Sequence, residues 1–99
     1  MAVKLQTLVE NAERAAGILS LLANTKRLII LCHLIKQDRS VGELGQLVNL
    51  SHSAISQHLA RLRCLDVVNS RKVGKEVFYS VTDPNIKEIL NTLYRIYCK

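Results

Sequence analysis

The segment from Ser40 to Val81 constrains this chain more than any other, because it orders a helix, a tight turn, a second helix and a basic β-hairpin. Ser40-Val41-Gly42-Glu43 fits the S-x-x-E capping box, so a helix starts at Val41, with Val41, Leu44, Leu47 and Val48 as its apolar positions. Asn49 and Leu50 make the turn. Ser51 caps the next helix, which runs to about Leu65 and turns Ile55, Leu59 and Leu62 inward. Val67–Lys72 and Glu76–Val81, rich in Val, Phe and Tyr, read as two strands joined around Val73-Gly74-Lys75. That order is a winged helix-turn-helix, a unit that lays one helix in a DNA major groove and flanks it with a charged wing.

If Ile55, Leu59 and Leu62 face the core, the opposite side carries Ser53, Ser56, Gln57 and Ala60 at i, i+3, i+4 and i+7, with His52 just before them. These side chains suit a groove: Gln pairs bidentately with adenine, Ser serves several base edges, and Ala meets a thymine methyl. Base contacts are therefore expected at His52, Ser53, Ser56 and Gln57. Phosphate contacts are expected at Ser51, Arg61, Arg63, Arg71, Lys72 and Lys75, the last at the hairpin tip beside an adjacent minor groove. The competing reading is an ordinary polar helix face. The place of this face after a short turn, and the charge around it, weigh against that. His58 lies beside the core stripe and reads equally well as a structural hydrogen-bonding residue.

Charge supports the same reading. Fourteen Lys and Arg against eight Asp and Glu give a net charge of +6 over 99 residues. From Ser51 to Lys75 there are five basic residues and one acid, a local +4. A basic surface favours nucleic acid or an acidic membrane. The longest apolar stretch, Leu28 to Ile35, is interrupted by His33 and falls far short of the roughly 20 residues a spanning helix needs. The N-terminus carries Lys4 but no signal-type apolar run, so the expected location is the cytoplasm and no membrane partner is expected. Three cysteines, an odd number, argue against a static disulfide framework. No nucleophile–base–orienter set or phosphate loop is visible, and Ser51-His52 is a helix cap rather than a dyad, so an enzyme is not expected; nor is a cofactor.

The flanks are helical. Leu5, Leu8, Ala12, Ala15, Leu19 and Leu22 form a heptad-like seam on a first helix of about five turns. It reads as intramolecular packing mixed with a dimer contact. Asn24 or Thr25 caps a second helix beginning near Lys26, with Leu28, Leu31, Cys32 and Ile35 as its inward stripe; Ile29, Ile30 and Leu34 make it apolar nearly all round. Asp83-Pro84 opens a last helix whose stripe is Ile86, Ile89, Leu90, Leu93 and Tyr97. The expected fold is thus mainly α with a small β-hairpin, α1-α2-α3-α4-β-β-α5, one domain over residues 1–99. A core this small invites oligomerisation.

The run Ser40-Val41-Gly42-Glu43-Leu44, then Leu50 through Arg63 with its S-x-S-A-x-S-Q-H-L segment, then the hairpin to Phe78-Tyr79, resembles the ArsR/SmtB family of bacterial winged-helix repressors over nearly the whole chain. The resemblance implies a homodimer built on the first and last helices. It also implies an imperfect inverted repeat of double-stranded DNA as target, released when a ligand is sensed.

Two metal sites common in that family lack their residues here: Val41–Val48 holds no Cys or His, and the last helix has Asp83 and Glu88 but no His. No metal site is expected. Cys32 in the second helix and Cys98 at the penultimate position instead resemble the sulfur- and redox-responsive HlyU/BigR/SqrR/YgaV subgroup. In that subgroup two such cysteines join by a disulfide or polysulfide bridge. The resemblance thus implies Cys32 and Cys98 as a sensing pair for reactive sulfur species or an oxidant. Taken by itself, Cys32 reads as core packing. A terminal Cys98 has no packing need; a helix C-terminus disfavours its thiolate, which Arg95 and Lys99 partly offset. Cys64, at the end of the fourth helix, reads as incidental, and His33 points about 100° away from Cys32. The alternatives are a thiol-based metal or metalloid sensor and a winged-helix protein-interaction module.

Overall fold

The structure is a computed structural model that describes residues 4–98; Lys99, the second cation expected beside Cys98, and residues 1–3 of the N-terminal reading lie outside the described residues. Among the described residues the five helices and the hairpin follow the expected order, with a short extra strand before the third helix: α1 Leu5–Leu22, α2 Thr25–Lys36, β1 Arg39–Ser40, α3 Val41–Val48, α4 His52–Cys64, β2 Asn69–Val73, β3 Glu76–Ser80 and α5 Pro84–Tyr97.

The helix starts are set by local chemistry. The Asn24 side chain accepts from the Arg27 amide (3.1 Å), so α2 begins at Thr25. Both halves of the α3 capping box form: Ser40 Oγ accepts from the Glu43 amide at 3.1 Å and Glu43 Oε1 from the Ser40 amide at 3.2 Å. Asp83 caps α5 with Pro84 just inside it. Two exits use a left-handed residue with a short polar side chain. Asn49 (φ 56°) ends α3, and Asp66 (φ 58°) ends α4 in a Schellman arrangement, with Val67 N–H donating to Leu62 O and Asp66 N–H to Arg63 O.

The core is built from Ile30 and Leu31 of α2, Leu44 of α3, Ile55, Leu59 and Leu62 of α4, and Leu90 of α5, with Val67 and Val68 between α4 and the sheet. The three α4 residues were expected inward and are. Four expectations are corrected. The buried face of α2 is Ile30, Leu31 and Leu34, whereas Leu28, Cys32 and Ile35 are only half-buried, Leu28 and Cys32 because they border a gap between α2 and α5. Leu47 is 45 % exposed, since α3 turns only Leu44 and Val48 under α4. Val67 and Val68 precede the ladder, which starts at Asn69; they are core plugs rather than strand. Tyr97 ends its stripe 79 % exposed, at the open rim of the gap between α2 and α5 rather than packed in the core.

The sheet order is β1-β3-β2, antiparallel throughout, with Arg39 opposite Tyr79 and Val73 opposite Glu76. Gly74 (φ +63°) and Lys75 make the hairpin turn. β1 was not foreseen. It ties the exit of α2 to the wing. α1 leaves α2 at 95° and buries only Leu21 and Leu22. The radius of gyration, 15.0 Å, exceeds the roughly 13 Å of a compact 100-residue domain, because α1 projects. No single helix among the described residues is long and apolar enough to cross a membrane.

Candidate functional site

α4 presents the polar face expected of it. Ser53, Ser56, Gln57 and Ala60 are exposed on the side away from Ile55, Leu59 and Leu62. Cys64 is exposed as well and continues the line of Ser53, Gln57 and Ala60 at the next turn, a placement that the sequence reading passed over. Ser51 is the N-cap, its Oγ accepting from the Ala54 amide at 3.2 Å. His52, expected among the base contacts, leans its ring toward α3: a Cβ on Gly42 would lie 3.7 Å from His52 Nε2, and one on Gly45 3.9 Å from Cδ2. The two glycines thus make room for the imidazole, while Gly45 also lets Leu50 O approach to within 3.2 Å of where its Cβ would sit. His58 is half-buried, and burial, then Arg27 and Arg61, lower its pKa, so it is neutral at pH 7.

The cations sit around this face. Arg61 and Arg63 are exposed in the last turn of α4, Lys72 on β2, and Lys75 at the hairpin tip. Arg71 is engaged within the molecule. Its Nη2 and Nε donate to Asp38 Oδ2 at 3.0 and 3.3 Å, and its guanidinium lies 5.5 Å from the Phe78 ring centroid. Asp38 and Phe78 were not foreseen here; the pair joins residues 33 positions apart, beyond any local pattern.

The cysteines meet elsewhere. Cys32 and Cys98 line one apolar pocket of about 460 Å³ between α2 and α5, walled by Leu28, Ile29, Leu90 and Leu93. Tyr94 stands at its side, with the Lys36 ammonium 5.6 Å from its ring centroid. Both cysteines are free thiols, Cys32 half-buried and Cys98 exposed at the C-cap of α5. Burial pushes the Cys32 pKa above its ordinary 9.0, negative charge on Cys98 adds to that, and Lys36 opposes it. Cys32 is therefore a resting thiol, and Cys98 is the more accessible of the two. Cys64 lies on a different helix and outside the pocket. Among the described residues, no three His, Cys, Asp or Glu side chains converge as metal ligands.

Comparison with known proteins agrees with this geometry. Residues 24–70 match the family model described as bacterial regulatory protein, arsR family. The chain is 42 % identical to the transcriptional activator HlyU of Vibrio cholerae over 97 residues, 98 % of this chain and 90 % of that protein. It is 38 % identical to the HTH-type transcriptional regulator YgaV of Escherichia coli, over 96 % of this chain and 97 % of that one. Reduced HlyU from V. cholerae superposes with a TM-score of 0.92 at 43 % identity, covering 96 % of this chain and all of that one. The transcriptional repressor BigR from Xylella fastidiosa superposes at 0.85 with 31 % identity, over 98 % and 99 % of the two chains. These relatives are regulators of transcription rather than enzymes.

Proposed function

This chain belongs to the bacterial ArsR family of DNA-binding transcriptional regulators, and from that premise we propose that it is a cytoplasmic, homodimeric repressor whose hold on DNA is released when Cys32 and Cys98 are joined. The observation that carries the sensing half is that these two thiols, 66 positions apart, face one pocket between α2 and α5. Ser53, Ser56 and Gln57, with His52 at their edge, read bases; Ser51, Arg61, Arg63, Lys72 and Lys75 hold phosphates, and Arg71 does so once it leaves Asp38.

The chemistry balances with a persulfide R–S–SH as oxidant. The Cys98 thiolate attacks the outer sulfur, the S–S bond breaks, and RSH leaves with the proton. Cys98 now bears S–SH. Cys32 then attacks the Cys98 sulfur, forming the Cys32–Cys98 disulfide and expelling hydrogen sulfide; two thiols are oxidised and one persulfide is reduced to RSH and hydrogen sulfide. The bridge pins the end of α5 to the middle of α2. Two routes lead from there to DNA. α5 belongs to the proposed dimer contact, so the spacing of the two α4 helices changes, and half-sites about 34 Å apart tolerate little change. α2 also runs through Asp38 into β1, the edge strand of the wing sheet.

The test is binding to the protein's own upstream DNA, before and after a persulfide donor, with intact-mass analysis. A loss of tenfold or more in affinity, together with a Cys32–Cys98-linked species absent from Cys32→Ser, is the expected result. Unchanged affinity in wild type and Cys32→Ser alike, with no linked species, overturns the reading.

A further inference from the structure

The pocket between α2 and α5 is neutral as well as apolar. Among the described residues none of its lining side chains is an acid, a lysine or an arginine. His33, at its edge, has its pKa lowered by burial, then by Arg39 and Lys36, and is uncharged at pH 7. Lys36, the cation that acts on Cys32, is drawn over the Tyr94 ring. A volume of about 460 Å³ falls in the range of small-molecule sites, roughly 300–1,000 Å³. A carboxylate entering such a space loses hydration and finds no formal charge on the pocket walls to replace it, the neighbouring Lys36 being held over the Tyr94 ring.

We infer that this pocket binds small uncharged apolar molecules, and that the organosulfur compounds reaching its thiols are neutral ones, such as dialkyl disulfides, ahead of carboxylate-bearing ones of like size. The second half rests on the dithiol reading above; the first half does not. The exposed Ile96 of α5, which the proposed dimer would use, is not among the residues that line the pocket. Ile96, 57 % exposed, follows Tyr94 by two residues and therefore faces about 160° away from it around α5. It thus continues the edge that faces α1 rather than the edge that faces Cys32. With a neutral disulfide R–S–S–R, the Cys98 thiolate attacks one sulfur and RS⁻ leaves, taking up a proton from solvent. Cys32 then displaces the second RS⁻ from Cys98. Two protein thiols are oxidised, one disulfide is reduced, and two RSH are released.

The test has two arms. In the first, Cys32→Ser/Cys98→Ser protein is titrated with thioanisole and with 4-(methylthio)benzoate, and amide chemical shifts are followed. Thioanisole is expected to shift resonances of Leu28, Ile29, Leu93 and Tyr94 saturably, at least tenfold more tightly than the benzoate. Adding Ile29→Glu, at a partly exposed position that keeps the fold, should weaken it tenfold. Equal binding of the two probes, or shifts scattered over the surface, overturns the pocket. In the second arm, reduced wild type meets diethyl disulfide or dithiodiglycolate. The rate of Cys32–Cys98 linkage is divided by the rate of modification of Cys64, an exposed thiol in the same molecule that cancels intrinsic reagent reactivity, in about 1 M salt so that the charges of Arg61 and Arg63 beside it are screened. A ratio at least tenfold higher for the neutral reagent supports the selectivity, and ratios within twofold overturn it. If neither reagent links Cys32 to Cys98 while thioanisole still binds, the organosulfur half is overturned and the apolar site stands; if a persulfide donor then fails to link them as well, the dithiol reading falls with it.

Discussion

The proposed base contact at Gln57 and the proposed phosphate contact at Lys75 lie on separate elements, one on the α4 face and one at the tip of the hairpin. Their substitutions should fail differently. Gln57→Ala is expected to cost about 1–3 kcal/mol on the specific site and little on unrelated DNA. Lys75→Ala should weaken both about equally and lower the slope of log affinity against log salt by about one per half-site. Titrations of specific and random duplexes at several salt concentrations separate the two. Cys32 makes a prediction in pH. Burial, reinforced by charge on Cys98, raises its pKa above 9.0, so protonation holds back its attack at neutral pH. The rate of bridge closure should therefore rise with pH and keep rising past 9.0. Lys36→Gln removes the opposing charge and should move the profile further up, which timed alkylation and mass analysis would follow.

At the scale of elements, the junction from α2 to α3 carries an unusual share of the work. Ser40 is buried, pairs with Phe78 in the sheet and caps α3. Ser40→Ala should cost about 1 kcal/mol in denaturation, with Ser40→Thr keeping most of that stability if the cap is the cause. Asp38, two residues earlier, holds Arg71 of β2. Both partners are well exposed, so the pair adds little to stability, about 0–1 kcal/mol. Its consequence lies in competition: while Asp38 holds the guanidinium, a phosphate does not. Asp38→Asn is expected to tighten DNA binding severalfold at low salt and to steepen the salt slope, with an unchanged melting profile. Unaltered binding would show that Arg71 stays out of the DNA contact.

For the whole molecule, the exposed apolar residues gather on the outer helices. Leu5, Leu8 and Leu19 of α1 and Ile96 of α5 all lie open to solvent. With only Leu21 and Leu22 of α1 buried, a projecting helix with an apolar seam needs a partner surface. Leu8→Glu with Ile96→Glu should convert a dimer to a folded monomer in sedimentation, since neither residue is in the core, and should sharply reduce affinity for an inverted repeat while sparing weak half-site binding. Retention of the dimer would place the interface elsewhere.

The local sequence was sufficient for the helix starts and for the α4 faces. Asn24, Ser40, Ser51 and Asp83 each cap through contacts two or three residues away, and the α4 stripes follow from a fixed helical period. Such signals are local and survive without the rest of the chain. The tertiary structure alone decided the others. β1 is two residues long and exists because β3, some 39 positions on, supplies its partner. The buried face of α2 depends on what packs there, since Ile29 and Ile30 look alike in a sequence; one is exposed and the other fully enclosed. Arg71 meets Asp38, and Cys32 comes to share a pocket with Cys98, only when distant segments dock. Family likeness pointed to the two cysteines. That they share an uncharged space was not written in any stretch of residues, because a pocket is made by the docking of two helices and belongs to neither.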